Sequence, residues 1–151
     1  MKILFVKGHT LFSKAICWVA KEPVSHVAVE FDGLVAHSNL IGVHIVDAKQ
    51  FRDSTLVLYE LDVPGAKTSV DVIDALDKYA SCWYDFGAFF FLGICLYLNR
   101  RFGVPMPKNN PWQNKQAFIC TEFVTQVVDH KADSMITPQG LYTELKARWS
   151  K

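Results

Sequence analysis

Apolar and polar positions along the chain set out a mixed architecture. Lys2 to Val6 reads as a short strand. From Thr10 to Lys21, Leu11, Ala15, Trp18 and Val19 recur near helical spacing, with Thr10 placed to cap the helix and Pro23 to end it. Val24 to Phe31 is β-rich, and Asp32-Gly33 then falls between two apolar runs, a strong hairpin signal, with Leu34 to Ser38 as the return strand. Val43 to Val46 and Thr55 to Leu61 read as further strands, and Pro64-Gly65 as a turn. Ser69 to Ala80 is amphipathic, with Val72, Ile73, Leu76 and Tyr79 on one face and Asp71, Asp74, Asp77 and Lys78 on the other. Tyr84 to Arg101 reads as an apolar helix, and Gly103 to Asn114, with three prolines and three asparagines, as a surface loop. Ala117 to Val128 reads as a helix with Phe118, Val124, Val127 and Val128 as core candidates. Thr137-Pro138 opens a last helix with Leu141, Leu145 and Trp149 facing inward. A helix, a strand cluster and then helices predict an α+β fold, an antiparallel sheet packed by helices, in a single domain over 1–151.

Composition narrows the function. The chain has 151 residues, half of them hydrophobic, which excludes intrinsic disorder. A formal net charge of +1 leaves no large field to attract nucleic acid, so no nucleic-acid partner is expected. The N-terminal apolar run Ile3 to Val6 is stopped by Lys7, Gly8 and His9, so no signal peptide is read and a cytoplasmic setting is expected. Four widely spaced cysteines (Cys17, Cys82, Cys95, Cys120) contain no C-x-x-C, which predicts free thiols and no metal or cofactor. The uncharged stretch Phe86 to Asn99, fourteen residues long, is too short to cross a bilayer as a helix. Its first reading is a fully buried core helix. The other is a helix that dips into lipid or lines a greasy groove, with membrane contact through 86–98.

Candidate chemistry begins in the hairpin. If Asp32-Gly33 is a two-residue turn, Phe31 pairs with Leu34, Ala28 faces His37 and His26 faces Asn39. One sheet face then carries His26, Ala28, Glu30, Val35, His37 and Asn39, and the other the more apolar set Val27, Val29, Phe31, Leu34, Ala36 and Ser38. Two imidazoles with nearby polar groups suit a general base whose tautomer a neighbour fixes; a solvated sheet face is the alternative. Cys120 lies near the start of a predicted helix, where the dipole lowers a thiol pKa and free N–H groups can hold an oxyanion. Cys17, Cys82 and Cys95 read as structural thiols in or near apolar helices, and His9 and His44 have no assignable partner. Glu122 suits the first helical turn structurally, with catalysis as the alternative.

Ser25-His26-Val27-Ala28-Val29-Glu30, the return strand ending near His37-Ser38, and Ile119-Cys120-Thr121-Glu122-Phe123-Val124 together resemble the circularly permuted branch of the NlpC-type papain-like superfamily, including its lecithin:retinol acyltransferase-like group. Tyr84-Asp85-Phe86-Gly87 and Thr137-Pro138-x-x-Leu141 are similar to further elements of that branch. The resemblance implies a permuted papain-like fold with Cys120 as nucleophile, His26 as base, His37 as third residue and Tyr84 as oxyanion helper. Asn39 and Glu30 are rivals for the third place. It implies a cysteine-dependent hydrolase or acyl transferase (peptidase- or amidase-like) acting on a peptide, a cell-wall peptide or a lipid ester. A non-catalytic binding module keeping the fold is the alternative.

Overall fold

The computed structural model describes residues 1–64, 69–79, 83–112, 117–128 and 135–149. Its centre is a five-stranded antiparallel sheet in the order β4-β3-β2-β1-β5, built from β1 (Lys2–Gly8), β2 (His26–Phe31), β3 (Leu34–Asn39), β4 (Gly42–Asp47) and β5 (Thr55–Asp62). Residues at alternate positions of β1 and β2 go to opposite faces, and both faces are covered. On one face Ile3, Phe5, Val27, Val29 and Phe31 pack with Phe123, Val124, Leu141 and Leu145. On the other, Leu4, Val6, Ala28 and Val35 pack with Ala48 and Phe51. Phe51 belongs to α2 (Ala48–Ser54), a short helix that sequence periodicity does not reveal; Asp47 caps it by accepting from the Gln50 N–H.

Beside the turn the hairpin has the predicted register, with Phe31 opposite Leu34, Glu30 opposite Val35 and Val29 opposite Ala36; the ladder ends there, so the expected pairs Ala28–His37 and His26–Asn39 are not part of it. Asp32 and Gly33 both take positive φ, 45° and 78°, the left-handed turn whose twist matches the strands. Leu34, expected in the core, is 39% exposed.

Thr10 caps α1 (Leu11–Ala20) through the Ser13 N–H, and the helix ends at a left-handed Lys21, two residues before Pro23. Of its expected apolar stripe, Leu11 and Trp18 do not face the core, being 83% and 73% exposed, while Ala20 is buried. In α3 (Ser69–Tyr79) Val72 and Leu76 are buried, but Ile73 is half-exposed. Gly65, Ala80 and Cys82, and the side chains of Tyr79 and Phe118, lie outside the described residues.

The apolar segment forms α4 (Phe86–Phe102), capped by Asp85 accepting from the Ala88 N–H. It is not a fully buried core helix, since Ala88 and Leu92 are buried while Phe86, Phe90, Ile94 and Tyr97 are exposed. No helix among the described residues is long and apolar enough to cross a membrane.

Two short parallel strands, β6 (Trp83–Tyr84) and β7 (Ala117–Phe118), pair Tyr84 with Phe118. The helix expected from Ala117 therefore starts three residues later, as α5 (Cys120–Val127). Last comes α6 (Pro138–Trp149), with Pro138 in its first turn and Thr137 accepting from the Gly140 N–H.

The turn supplies a stability test. Gly33→Ala puts a Cβ on a left-handed residue, with an expected cost of roughly 1–2 kcal/mol. This reads as a lower urea midpoint at unchanged m-value; an unchanged midpoint would remove the turn as the determinant of register.

Candidate active site

Cys120 is the first residue of α5 and is buried, 8% exposed, within the cluster that holds Val27 and Phe123. The residue before it, Ile119, has no side-chain oxygen to cap the first-turn N–H groups, and those of Cys120 and Thr121 act on the Cys120 thiol instead. Glu122 turns back to accept the Ile119 N–H at 3.1 Å, a structural role at the helix start. The β6–β7 ladder brings Tyr84 alongside: Tyr84 opposes Phe118, two residues before Cys120.

The histidines approach from the other face of the sheet. His26 opens β2, and its Nε2 lies 3.0 Å from Nδ1 of His37 on β3. Both rings pack on Phe51 of α2, with centroids 6.4 and 5.1 Å from it. His37 stands opposite His44 on β4, their ring centroids 4.3 Å apart. His44 Nδ1 lies 3.1 Å from the Gly42 carbonyl oxygen. A carbonyl only accepts, so Nδ1 carries the hydrogen, and Nε2 is left to accept from Asn39 Nδ2 at 3.4 Å. His44 is the member that sequence reasoning missed; only the β3–β4 register, with its turn at 40–41, could have placed it.

The rivals for the third position are engaged elsewhere. The Asn39 amide serves His44 and the Ile41 N–H. Glu30 accepts from Arg52 Nε and Nη2 at 2.9 and 2.6 Å, while Arg52 Nη1 reaches Glu60 at 2.7 Å, so one guanidinium ties β2 to β5 across β1. Among the described residues, no group of three or more His, Cys, Asp or Glu side chains is arranged to hold a metal ion.

Cys120, His26, His37 and Tyr84 line one pocket of about 510 Å³ at the end of the sheet, where its two faces meet. Among the described residues no hydrogen bond joins Cys120 to His26; the nucleophile and base candidates share the lining of this pocket. Cys120, Tyr84 and Ser25 also line a second cavity of about 510 Å³. This one is an apolar groove between α1 and α4, walled by Phe12, Ile16, Phe89 and Ile94 among others. Thr121 lines the groove too, and its hydroxyl is buried without a hydrogen-bond partner among the described residues.

Burial sets the protonation states. It pushes the Cys120 thiol up to about 11, although the Val27, Thr121 and Cys120 N–H groups pull the other way. The expected lowering at a helix terminus is thus outweighed, because the thiolate would lose its water before those N–H groups compensate. Burial, with His44 adding a smaller repulsion, lowers His26 to about 4. His37 falls lower still, from burial first and then from His26 and His44. Burial also raises the Tyr84 phenol, with Cys120, Glu122 and Asp85 adding to the shift. At neutral pH the site is therefore an uncharged thiol, two uncharged imidazoles and a phenol. Cys17 and Cys95 are free thiols and only partly buried, Cys17 lying 3.4 Å from the Pro23 carbonyl oxygen.

The depressed histidines have a thermodynamic signature. Below about pH 6.5 the unfolded chain takes up protons that folded His26 and His37 refuse, so stability falls as pH drops toward the folded value of His26, about 4. The expected slope is about 1.4 kcal/mol per pH unit for each histidine. Chemical denaturation between pH 6.5 and 5 should show it, and His37→Asn should remove about half. A slope unchanged in the variant would place His37 in water.

No family model matches the chain, and no curated protein matches it significantly, so the chemistry rests on the geometry.

Proposed function

We propose that the chain is a cysteine-dependent acyl hydrolase or acyl transferase with a permuted papain-like arrangement, in which the histidine hairpin precedes the cysteine helix. The observation that carries this reading is one pocket lined by a helix-terminal Cys120 and by a His26 whose Nε2 is already bonded to His37. With Nε2 engaged, Nδ1 of His26 is the ring nitrogen left to accept a proton. In that role Nε2–H donates to His37 Nδ1, and His37 fixes the tautomer.

The chemistry then runs from neutral partners. The Cys120 sulfur bonds to the substrate carbonyl carbon as its proton passes to His26, and the carbonyl π pair moves to oxygen. The Cys120 N–H and the Tyr84 hydroxyl are the donors at hand for that oxyanion. Collapse breaks the bond to the leaving alcohol or amine, which takes the proton from His26 and leaves a thioester. Water or another acceptor, deprotonated by His26, bonds to the thioester carbonyl carbon; the C–S bond then breaks, the acyl group leaves on the acceptor, and the Cys120 sulfur takes the proton back from His26. A raised thiol and a lowered imidazole disfavour a standing thiolate–imidazolium pair, so proton transfer accompanies attack.

The apolar groove favours the lipid-ester form over a peptide amide. It starts at Cys120 and is lined by aromatic and aliphatic side chains, with the Thr121 hydroxyl unpartnered beside the thiol. An acyl chain would fill its apolar walls, leaving the Thr121 hydroxyl to the polar ester end of the substrate.

The test is acylation by p-nitrophenyl esters from acetate to laurate, followed by intact mass and nitrophenol release. The longer esters should acylate Cys120 faster, Cys120→Ala should abolish the adduct, and His26→Ala should slow its formation by about 10²–10⁴-fold. The rate should hold down to about pH 4, where His26 protonates. Failure of every ester and of a muropeptide or simple peptide amide would leave a binding module. A rate independent of chain length would remove the groove from the acyl site.

A further inference from the structure

The outer face of the α1–α4 pair carries a run of exposed apolar side chains. The helices are joined by Phe12 against Phe89, ring centroids 4.9 Å apart, and by Arg100, which reaches the Val19 carbonyl and Glu22. Away from that seam, α1 presents Leu11, Lys14, Trp18 and Lys21, all exposed and spaced i, i+3, i+7, i+10 on one face. Phe86, Phe90, Ile94, Tyr97 and Arg101 of α4 are likewise exposed, at i, i+4, i+8, i+11, i+15. Aromatic and aliphatic side chains thus lie open to water with cations beside them, where folding alone would bury them.

Charge is divided in the same way. Segments 1–21 and 86–116 hold eight of the sixteen Lys and Arg and none of the fifteen Asp and Glu. The small net charge conceals an excess of eight positive charges on these segments and of seven negative charges on the remainder. Among the described residues of this positive part, Lys7, Lys14, Lys21, Arg101 and Lys108 are exposed.

We infer that the α1–α4 face is a docking surface for an anionic lipid bilayer. Trp, Tyr and Phe beside Lys and Arg suit the headgroup boundary, where rings sit at the edge of the hydrocarbon and cations meet lipid phosphates. The seventeen residues of α4 span about 25 Å, so the helix lies along the surface rather than through it. A symmetric pairing of two chains through this face would bring Lys14, Lys21 and Arg101 of each near the like charges of the other, which disfavours a second copy as the occupant. Ala15, Phe90, Ile94 and Tyr97 are exposed and also line the groove that ends at Cys120. The docked bilayer would therefore close the groove's mouth. If the acyl-enzyme reading holds, a lipid chain would pass from membrane to thiol without crossing water; the docking itself does not depend on that reading.

The test is co-sedimentation of the full chain with vesicles of phosphatidylcholine alone and with roughly 30% phosphatidylglycerol. The expected result is at least about tenfold stronger partition onto the anionic vesicles, reversed by raising salt toward about 1 M. Phe90→Ser with Ile94→Ser, and separately Lys14→Glu with Arg101→Glu, should each weaken partition about tenfold or more. All four side chains are exposed, so circular dichroism should show both variants folded. Cys120→Ser should bind as wild type does, which separates failure of docking from failure of catalysis. Three results would overturn the inference: no partition by wild type, partition unaffected by both pairs of changes, or a wild-type dimer in sedimentation velocity that Phe90→Ser with Ile94→Ser splits.

Discussion

The two-residue turn at Asp32-Gly33 holds β2 and β3 in one register, and the arrangement of histidines depends on it. With Phe31 opposite Leu34, the His26 and His37 side chains both fall on the side of the sheet that α2 covers, where their rings meet Phe51 and each other. A slip of one residue would send one strand's side chains to the opposite face, among Val29, Phe123 and Val124, and part the pair. The β3–β4 pairing then adds His44 opposite His37, and the Gly42 carbonyl and Asn39 amide fix the outer ring's tautomer.

Cys120 comes to the same pocket from the other side of the sheet. The strand ends are the one place where side chains from both faces can share a space, and His26 is the first residue of its strand. The two halves of the candidate site are therefore built by separate clusters. Leu4, Val6, Ala28 and Phe51 support the histidines, while Val27, Phe123 and Val124 support the cysteine helix. Arg52 ties β2 to β5 through Glu30 and Glu60 on the histidine side, which explains why the nearby Glu30 carboxylate is committed to holding strands.

What the sequence disclosed follows from the range of each interaction. The turn, the strand alternation, the Thr10 cap and the opening of the last helix at Thr137-Pro138 are local, and they were legible from neighbouring residues. So was the place of Cys120 near a helix start, although Ala117 and Phe118 pair with β6 instead of opening that helix. The rest depends on distant partners. A helix apolar all round reads as core, and only the absence of a second layer over Phe86, Phe90 and Ile94 leaves it exposed. Short α2 has one capping Asp and one buried Phe, too little for periodicity. The direction of the Cys120 shift could not be read locally, because the helix terminus is a sequence feature while the burial that overrides it is tertiary.

A thiol held protonated by its surroundings has a further consequence, for how it meets oxidants. The thiolate, not the thiol, attacks peroxide, and a buried thiol pushed up to about 11 offers almost none at neutral pH. Cys120 should then be slow to form a sulfenic acid, unlike a catalytic cysteine stored as an ion pair, which is exposed to oxidative damage whenever it waits without substrate. Under the proposed mechanism, deferring ionisation until a carbonyl arrives would thus protect the sulfur as well as set its reactivity.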